Sequence, residues 1–288
     1  MITIEELEGK QAITWCTGCG NFGILAALKK AVIELDVPRH EILLVSGIGC
    51  SSKAPHYIDL NMFHTLHGRA IPVATGAHLV NPDLKVIVNT GDGDGLGEGF
   101  SHFIHAARRN VNLAVFIHNN GVMGLTKGQF SPAAQRGYVS STSPPPPGAP
   151  MWPINPVALA IAGGATYVAR GFSGNQKDLV TLMVEAVQHK GFAVVDILQP
   201  CQTWNRKLTW KFYNERAYSL QEEGHDPTNK MLALEKSFEF GDKIPVGLFY
   251  KSELPDLASG LALPKDGRLR DHQTDRALLQ QVVNDLTL

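Results

Sequence analysis

KVIVNTGDGDG, residues 85–95, is the stretch that decides the fold. Residues 85–89 are a short apolar run rich in β-branched side chains, as in a strand buried on both faces. Thr90 then leads into glycines at 91, 93 and 95, set around Asp92 and Asp94. Glycines there let the backbone come close to a ligand's oxygens, and parallel α/β sheets bind ligands at the carboxyl ends of their strands. Downstream, 99–109 reads as a helix, and LAVFIH at 113–118 as a second strand that ends in Asn119 and Asn120. Strand, helix and strand bring the chain back to the same edge of the sheet. Asp92 then offers a carboxylate and Asn120 an amide oxygen, the hard donors that Mg2+ prefers. A glycine-rich turn alone is a weak signal. Its pairing with the two asparagines one βαβ unit later is the specific one.

The same alternation extends in both directions. Residues 21–35 read as a helix with Ile24, Leu28, Ala31, Val32 and Leu35 on one face. A strand is expected at 41–46, helices near 156–162 and at 176–188, and strands near 166–169 and at 192–198. Strands alternating with helices predict an α/β fold, a mostly parallel sheet with helices on both faces. Residues 1–204 read as one domain. Residues 205–288, richer in charge and weakly periodic, read as a C-terminal extension or tail that contacts another subunit. The proline-rich run 140–150 reads as an extended spacer.

Bulk properties narrow the function classes. The chain has 288 residues, 44% hydrophobic and 18% charged, the balance of a globular enzyme and not of a disordered chain. The formal net charge of −1, with both signs scattered, gives no footprint for nucleic acid. No apolar run approaches the ~18 residues of a membrane span, so no membrane partner is expected. The N-terminal MITIEELEGK lacks the apolar core of a secretory leader, and a cytoplasmic location is expected.

The four cysteines are Cys16, Cys19, Cys50 and Cys201. The CTGC at 16–19 suits a zinc half-site, a redox pair or half of an iron–sulfur site. Cys50 follows the strand at 41–46 and Cys201 the strand at 192–198, the same rim as Asp92 and Asn120. Four thiolates complete one zinc site or one iron–sulfur cluster.

The GDG and NN pair resembles the signature of thiamine-diphosphate enzymes. That resemblance implies Mg2+ bound by Asp92, Asn120 and the carbonyl of Val122. The separation is about one residue longer than in many thiamine decarboxylases, which leaves Asn119 as an alternative ligand. WCTGCGNFG (15–23), GIGCSS (47–52), LHGRAIPVATGAHLVNP (66–82), GDGDGLGEG (91–99), RRNVNLAVFIHNNGVMGLTKGQFSP (108–132) and QPCQTWN (199–205) are together similar to the β subunits of 2-oxoacid:ferredoxin oxidoreductases. The likeness covers roughly 11–205.

It implies a thiamine-diphosphate-binding fold of the diphosphate-binding type, and one [4Fe-4S] cluster on Cys16, Cys19, Cys50 and Cys201. Gly49, Ser51, Lys53, His67, Gly91, Asp92, Gly93, Asp94 and Asn120 would border the cofactor. Leu125 and Lys127 would shape the substrate pocket, in a form that suits 2-oxoglutarate or a range of 2-oxoacids. The implied reaction is oxidative decarboxylation with coenzyme A and ferredoxin. The activating glutamate and most of the coenzyme A site would belong to an α subunit, in an assembly of two αβ pairs. Two other readings stay open at this point: a non-redox thiamine-diphosphate lyase, and an electron-transfer or zinc-binding subunit without thiamine. His102, His105, Arg108 and Arg109 read as a polar helix face.

Overall fold

The computed structural model describes residues 2–261, 269–271, 273 and 275–286. In chain order its elements are α1 (Asn21–Glu34), β1 (Ile42–Ser46), β2 (Asn61–His64), α2 (Ala70–Val80), β3 (Lys85–Gly91), α3 (Phe100–Arg108), β4 (Leu113–Asn119), β5 (Val122–Met123), β6 (Gln129–Phe130), α4 (Pro156–Gly163), β7 (Tyr167–Phe172), α5 (Gln176–Gln188), β8 (Phe192–Leu198), α6 (Trp210–Asn214), β9 (Ala217–Ser219), α7 (Lys230–Ser237), β10 (Ile244–Lys251) and α8 (Arg276–Leu286). Every helix and strand expected above is present within a residue or two at its start.

One eight-stranded sheet has the order β2-β1-β3-β4-β8-β7-β10-β9. All neighbours pair in parallel except β10 with β7. Side chains alternate across the pleat, so each strand feeds two cores. Ile87, Phe116, Ala169 and Val195 pack under α1 and α5. Val88, Val115, Val168 and Val194 pack under α2, α3 and α4 on the opposite face. Helices therefore cover both faces, as expected.

Two segments differ from their simplest reading. Within 205–288, residues 217–251 return to the sheet and supply β9 and β10. Positions 262–268, 272, 274 and 287–288 of that expected extension lie outside the described residues. The proline-rich run is not a free spacer. Gly137 N donates to Ala149 O and Ala149 N to Tyr138 O, both at 2.8 Å, which closes the run into a loop. Tyr138 and Ala149 bury with Val122, Ala134 and Cys201 in a small core of their own. Tyr138 and Ala149 thus anchor the loop beside Val122 of the β5–β6 hairpin, while Pro144 to Pro147 stay exposed.

Candidate active site

The carboxyl ends of β1, β3 and β4 enclose a cavity of about 270 Å³. Gly49, Cys50 and Ser51 line it after β1, His67 before α2, Gly91 to Asp94 after β3, and Asn120 with Val122 to Thr126 after β4. Asp92 is buried at its base. Its Oδ2 accepts from Gly121 N at 2.9 Å and Ser131 Oγ at 2.5 Å. Burial pushes the Asp92 carboxyl up to about 6, while hydrogen bonds from Ser131, Gly121 and Gly93 pull it back and the Asp196 charge adds to the rise. A buried carboxylate surrounded by neutral donors and near a second carboxylate could hold a cation.

Asn120 lies on the same wall. Its Oδ1 accepts from Val122 N at 2.9 Å and its Nδ2 donates to Gln199 Oε1 at 3.1 Å. Asn119, the alternative, points elsewhere: its Nδ2 donates to Asp196 Oδ1 at 2.9 Å. Asp196 is in turn paired with the buried Arg170 at 3.0 Å. The geometry therefore brings Asp92, Asn120 and Val122 to one cavity and leaves Asn119 out of it.

Three expected residues stand apart from the others. Asp94 lines the cavity, but both its carboxylate oxygens are engaged by protein, Oδ1 by Gly68 N and Oδ2 by Thr90 Oγ1, each at 2.7 Å. It clamps the loops of β3 and α2 together from its place on the cavity wall. Lys53 does not border this cavity; it lines the neighbouring one among the cysteines, its Nζ donating to Thr14 Oγ1 at 2.8 Å. The cause is the 3-10 turn Ser51–His56, which sends side chains two apart in different directions. Lys127 also misses the wall. It sits exposed at the tip of the β5–β6 hairpin with φ +77°, while Leu125 and Thr126, themselves exposed, line the cavity.

Glu98 and His118 joined the site unannounced. The expected His67 meets Glu98 Oε2 through Nδ1 at 2.6 Å at the cavity mouth. Glu98 ends the π-helical turn Asp94–Glu98 that follows β3. His118 is buried, with Nδ1 against Asn21 Oδ1 at 2.7 Å. An amide oxygen only accepts, so Nδ1 carries the proton and Nε2 holds a lone pair. Burial holds His118 down to about 3, hence neutral. Its Nε2 and Ser51 Oγ are buried without a protein partner on the cavity wall. Such orphaned polar atoms, with oxygen donors at the base, fit a polar cofactor that ends in a magnesium-bound diphosphate. His118 was legible in principle, since it lies two residues before Asn120 on an extended segment and so shares its face.

Beside this cavity lies a second, of about 210 Å³, and all four cysteines line it. The two share Cys50, Asn120, Gly124 and Leu125 as a common wall. Trp15 Nε1 donates to Cys50 O at 2.7 Å and Trp210 Nε1 to Gly18 O at 2.9 Å. Gly20 N donates to Pro200 O at 3.0 Å, tying the CTGC turn to the Cys201 loop. Burial pushes the Cys50 thiol up to about 12, with Cys19, Cys201 and Cys16 adding to it and Lys53 opposing. Among the described residues no three cysteine sulfurs lie within 4.8 Å of one another. Tetrahedral zinc, with Zn–S of about 2.3 Å, draws its sulfurs to about 3.8 Å. Four thiols spread around a cavity fit a larger polynuclear centre better than one zinc ion.

This fold and cavity define the phosphate-holding domain of a thiamine-diphosphate enzyme. A family description, "Thiamine pyrophosphate enzyme, C-terminal TPP binding domain", matches residues 47–197. A second, for the C-terminal part of the pyruvate ferredoxin oxidoreductase beta subunit, matches 201–262. The 2-oxoacid:ferredoxin oxidoreductase subunit beta of Saccharolobus solfataricus is 50% identical over 252 residues, 83% of this chain and 82% of its own. The 2-oxoglutarate synthase subunit KorB of Methanocaldococcus jannaschii is 36% identical over 86% of this chain and 90% of its own. The solved 2-oxoglutarate:ferredoxin oxidoreductase from Magnetococcus marinus, with 2-oxoglutarate, coenzyme A and succinyl-CoA bound, superposes with a TM-score of 0.89 at 40% identity. The match covers 98% of this chain and 96% of that one. The chain belongs to the β subunits of the 2-oxoacid:ferredoxin oxidoreductases. No described helix is long and apolar enough to cross a membrane.

Proposed function

We propose that this chain, joined to an α subunit, carries out the coenzyme A-dependent oxidative decarboxylation of 2-oxoglutarate to an acyl-CoA and CO2, with ferredoxin as electron acceptor and the reverse reaction accessible. The observation that carries this reading is the wall common to the two cavities, Cys50, Asn120, Gly124 and Leu125. Thiamine diphosphate supplies the carbanion-stabilising chemistry, and a [4Fe-4S] cluster takes up electrons singly. Asp92, Asn120 and the Val122 carbonyl hold Mg2+ and through it the diphosphate. Gly49, Gly91 and Gly93 let the backbone close on the cofactor, and Ser51 and His118 offer it the polar atoms left without protein partners. His67, oriented by Glu98, stands at the mouth. Cys16, Cys19, Cys50 and Cys201 hold the cluster.

Leu125, on the wall common to both cavities, shapes the substrate pocket, and Lys127 reaches the substrate when the hairpin is covered by the α subunit. That subunit supplies the activating glutamate and most of the coenzyme A site, and residues 205–288 contact it. The thiol ligands suit a reducing compartment, the cytoplasm. The experiment is metal and cofactor analysis of the anaerobically purified αβ complex, with a reduction assay. Iron and acid-released thiamine diphosphate, with dye reduction that depends on 2-oxoglutarate and coenzyme A, are expected. Zinc in place of iron, or decarboxylation without reduction of any acceptor, would refute the reading.

A further inference from the structure

Gln199, the first residue after β8, is 1% exposed and touches both sites at once. Its Oε1 accepts from Asn120 Nδ2 at 3.1 Å, and its Nε2 donates to Cys19 Sγ at 3.4 Å. Its backbone N donates to Asn119 O at 2.9 Å, which fixes the residue against the end of β4. The direction of the side-chain amide follows from its neighbours. Asn120 Oδ1 already accepts from Val122 N at 2.9 Å, so its NH2 is the end turned to Gln199. An NH2 only donates, so the Gln199 oxygen faces Asn120 and the Gln199 NH2 faces the sulfur. The local chain makes room for this. A Cβ on Gly20 would stand 2.8 Å from Gln199 Cγ, so Gly20, next to Cys19, must stay bare.

We propose that Gln199 is a positioning residue that couples the magnesium–diphosphate site to the cluster. The assignment rests on the reading above, that Asn120 binds the magnesium and Cys19 the cluster. An N–H donated to a cysteine sulfur stabilises the more negative, reduced form of a cluster and raises its reduction potential. When Mg2+ withdraws electron density from the Asn120 oxygen, its NH2 becomes a better donor to Gln199. The Gln199 NH2 in turn becomes a better donor to Cys19, because hydrogen bonds in a chain polarise one another. Cofactor loading therefore favours electron acceptance, and by linkage cluster reduction favours cofactor retention. Cys19 keeps its other donor, the backbone N–H of Asn21, when Gln199 is changed.

The test is a redox titration of the cluster by electron paramagnetic resonance in the αβ complex, loaded and stripped of Mg2+ and thiamine diphosphate. It is run on the wild type, Gln199→Leu and Gln199→Met, with iron content and thiamine diphosphate affinity measured alongside. The wild-type potential is expected to rise on loading. In either variant the loaded potential is expected to fall, the difference between loaded and stripped forms to shrink, and the cofactor Kd to rise roughly five- to tenfold, the scale of one neutral hydrogen bond. An unchanged potential and an unchanged loading difference in an iron-replete variant would overturn the proposal. So would loss of iron from both variants with the fold intact, which would make Gln199 scaffold and not coupler. Failure of the underlying reading is distinguishable, because the wild type itself would then lack iron or fail to bind thiamine diphosphate.

Discussion

Asn119 and Asn120 are consecutive, yet their side chains serve opposite sides of the β4 end: Asn119 is held by Asp196 at 2.9 Å, and Asn120 lines the cofactor cavity beside Asp92. A strand end does this without strain, since adjacent side chains point to opposite faces. Asn120→Ala is expected to weaken Mg2+-dependent thiamine diphosphate binding and leave thermal stability nearly unchanged. Asn119→Ala is expected to do the reverse, costing about 1–3 kcal/mol by leaving the buried Asp196 short of a donor. Calorimetry and denaturant titration of both variants check the pair. A larger affinity loss in Asn119→Ala would reverse the assignment.

Gly68 ties His67 to the site. Its φ is +64°, and a Cβ there would stand 2.4 Å from Gly99 N and 2.5 Å from Glu98 C. Gly68→Ala is expected to push the loop off the π-helical turn, separating His67 from Glu98 and Gly68 N from Asp94. The strained backbone alone costs of the order of 1–3 kcal/mol. A lower Tm together with weaker cofactor binding is the expected outcome, read by thermal unfolding with and without thiamine diphosphate. A wild-type Tm would contradict the tight packing of this loop.

His189 makes the fold acid-sensitive on its own account. Thr166 Oγ1 donates to Asn110 Oδ1 at 2.8 Å, so it accepts from His189 Nε2, also at 2.8 Å. Burial, with the Lys251 charge adding to it, pushes His189 down to about 4. The unfolded value is about 6.5. A depressed histidine stabilises the fold fully above the unfolded value and loses that contribution as pH falls through the folded one. His189→Gln is therefore expected to flatten the pH dependence of stability between about pH 6.5 and 4, measured by urea titration across that range. An unchanged slope would show that His189 titrates normally.

Substrate choice turns on the hairpin tip. Leu125 is on the cavity wall, whereas Lys127 reaches substrate only if the covered hairpin turns it inward. With an ion pair to the distal carboxylate of 2-oxoglutarate, Lys127→Ala should lose roughly 1.5–3 kcal/mol of transition-state binding for that substrate, and little for pyruvate or 2-oxobutyrate. The comparison of kcat/KM across the three acids decides it. A uniform loss moves the contact to the shared carboxylate, and no loss returns Lys127 to solvent.

Most of the sheet was legible because β1, β3, β4, β7 and β8 are apolar runs buried on both faces. β2 was not: all its residues, Asn61–His64, are exposed at the sheet edge, and no pattern marks them. α2 hides behind Pro72, which a helix tolerates in its first turn. β10 hides behind Pro245 and behind Gly247 at φ +118°, next to a break in register. At the site, Asp92, Asn120 and the four cysteines stand in compact motifs. Ser131, Gln199 and Glu98 act through space on partners distant in sequence, and no local spacing announces them. Lys53 and Lys127 were near their sites in sequence, but a 3-10 turn and a left-handed residue direct them away.

A thiamine-diphosphate site that shares one wall with a four-cysteine cluster should pass electrons from one to the other within this chain. Electron paramagnetic resonance of the anaerobic αβ complex, before and after addition of 2-oxoglutarate and coenzyme A with no ferredoxin present, reads that transfer directly. The expected result is a diamagnetic cluster that gains the signal of its one-electron-reduced form upon turnover, and loses that response in Asp92→Ala while its iron content stays the same. Release of CO2 and formation of acyl-CoA with no such signal in an iron-replete enzyme would contradict it.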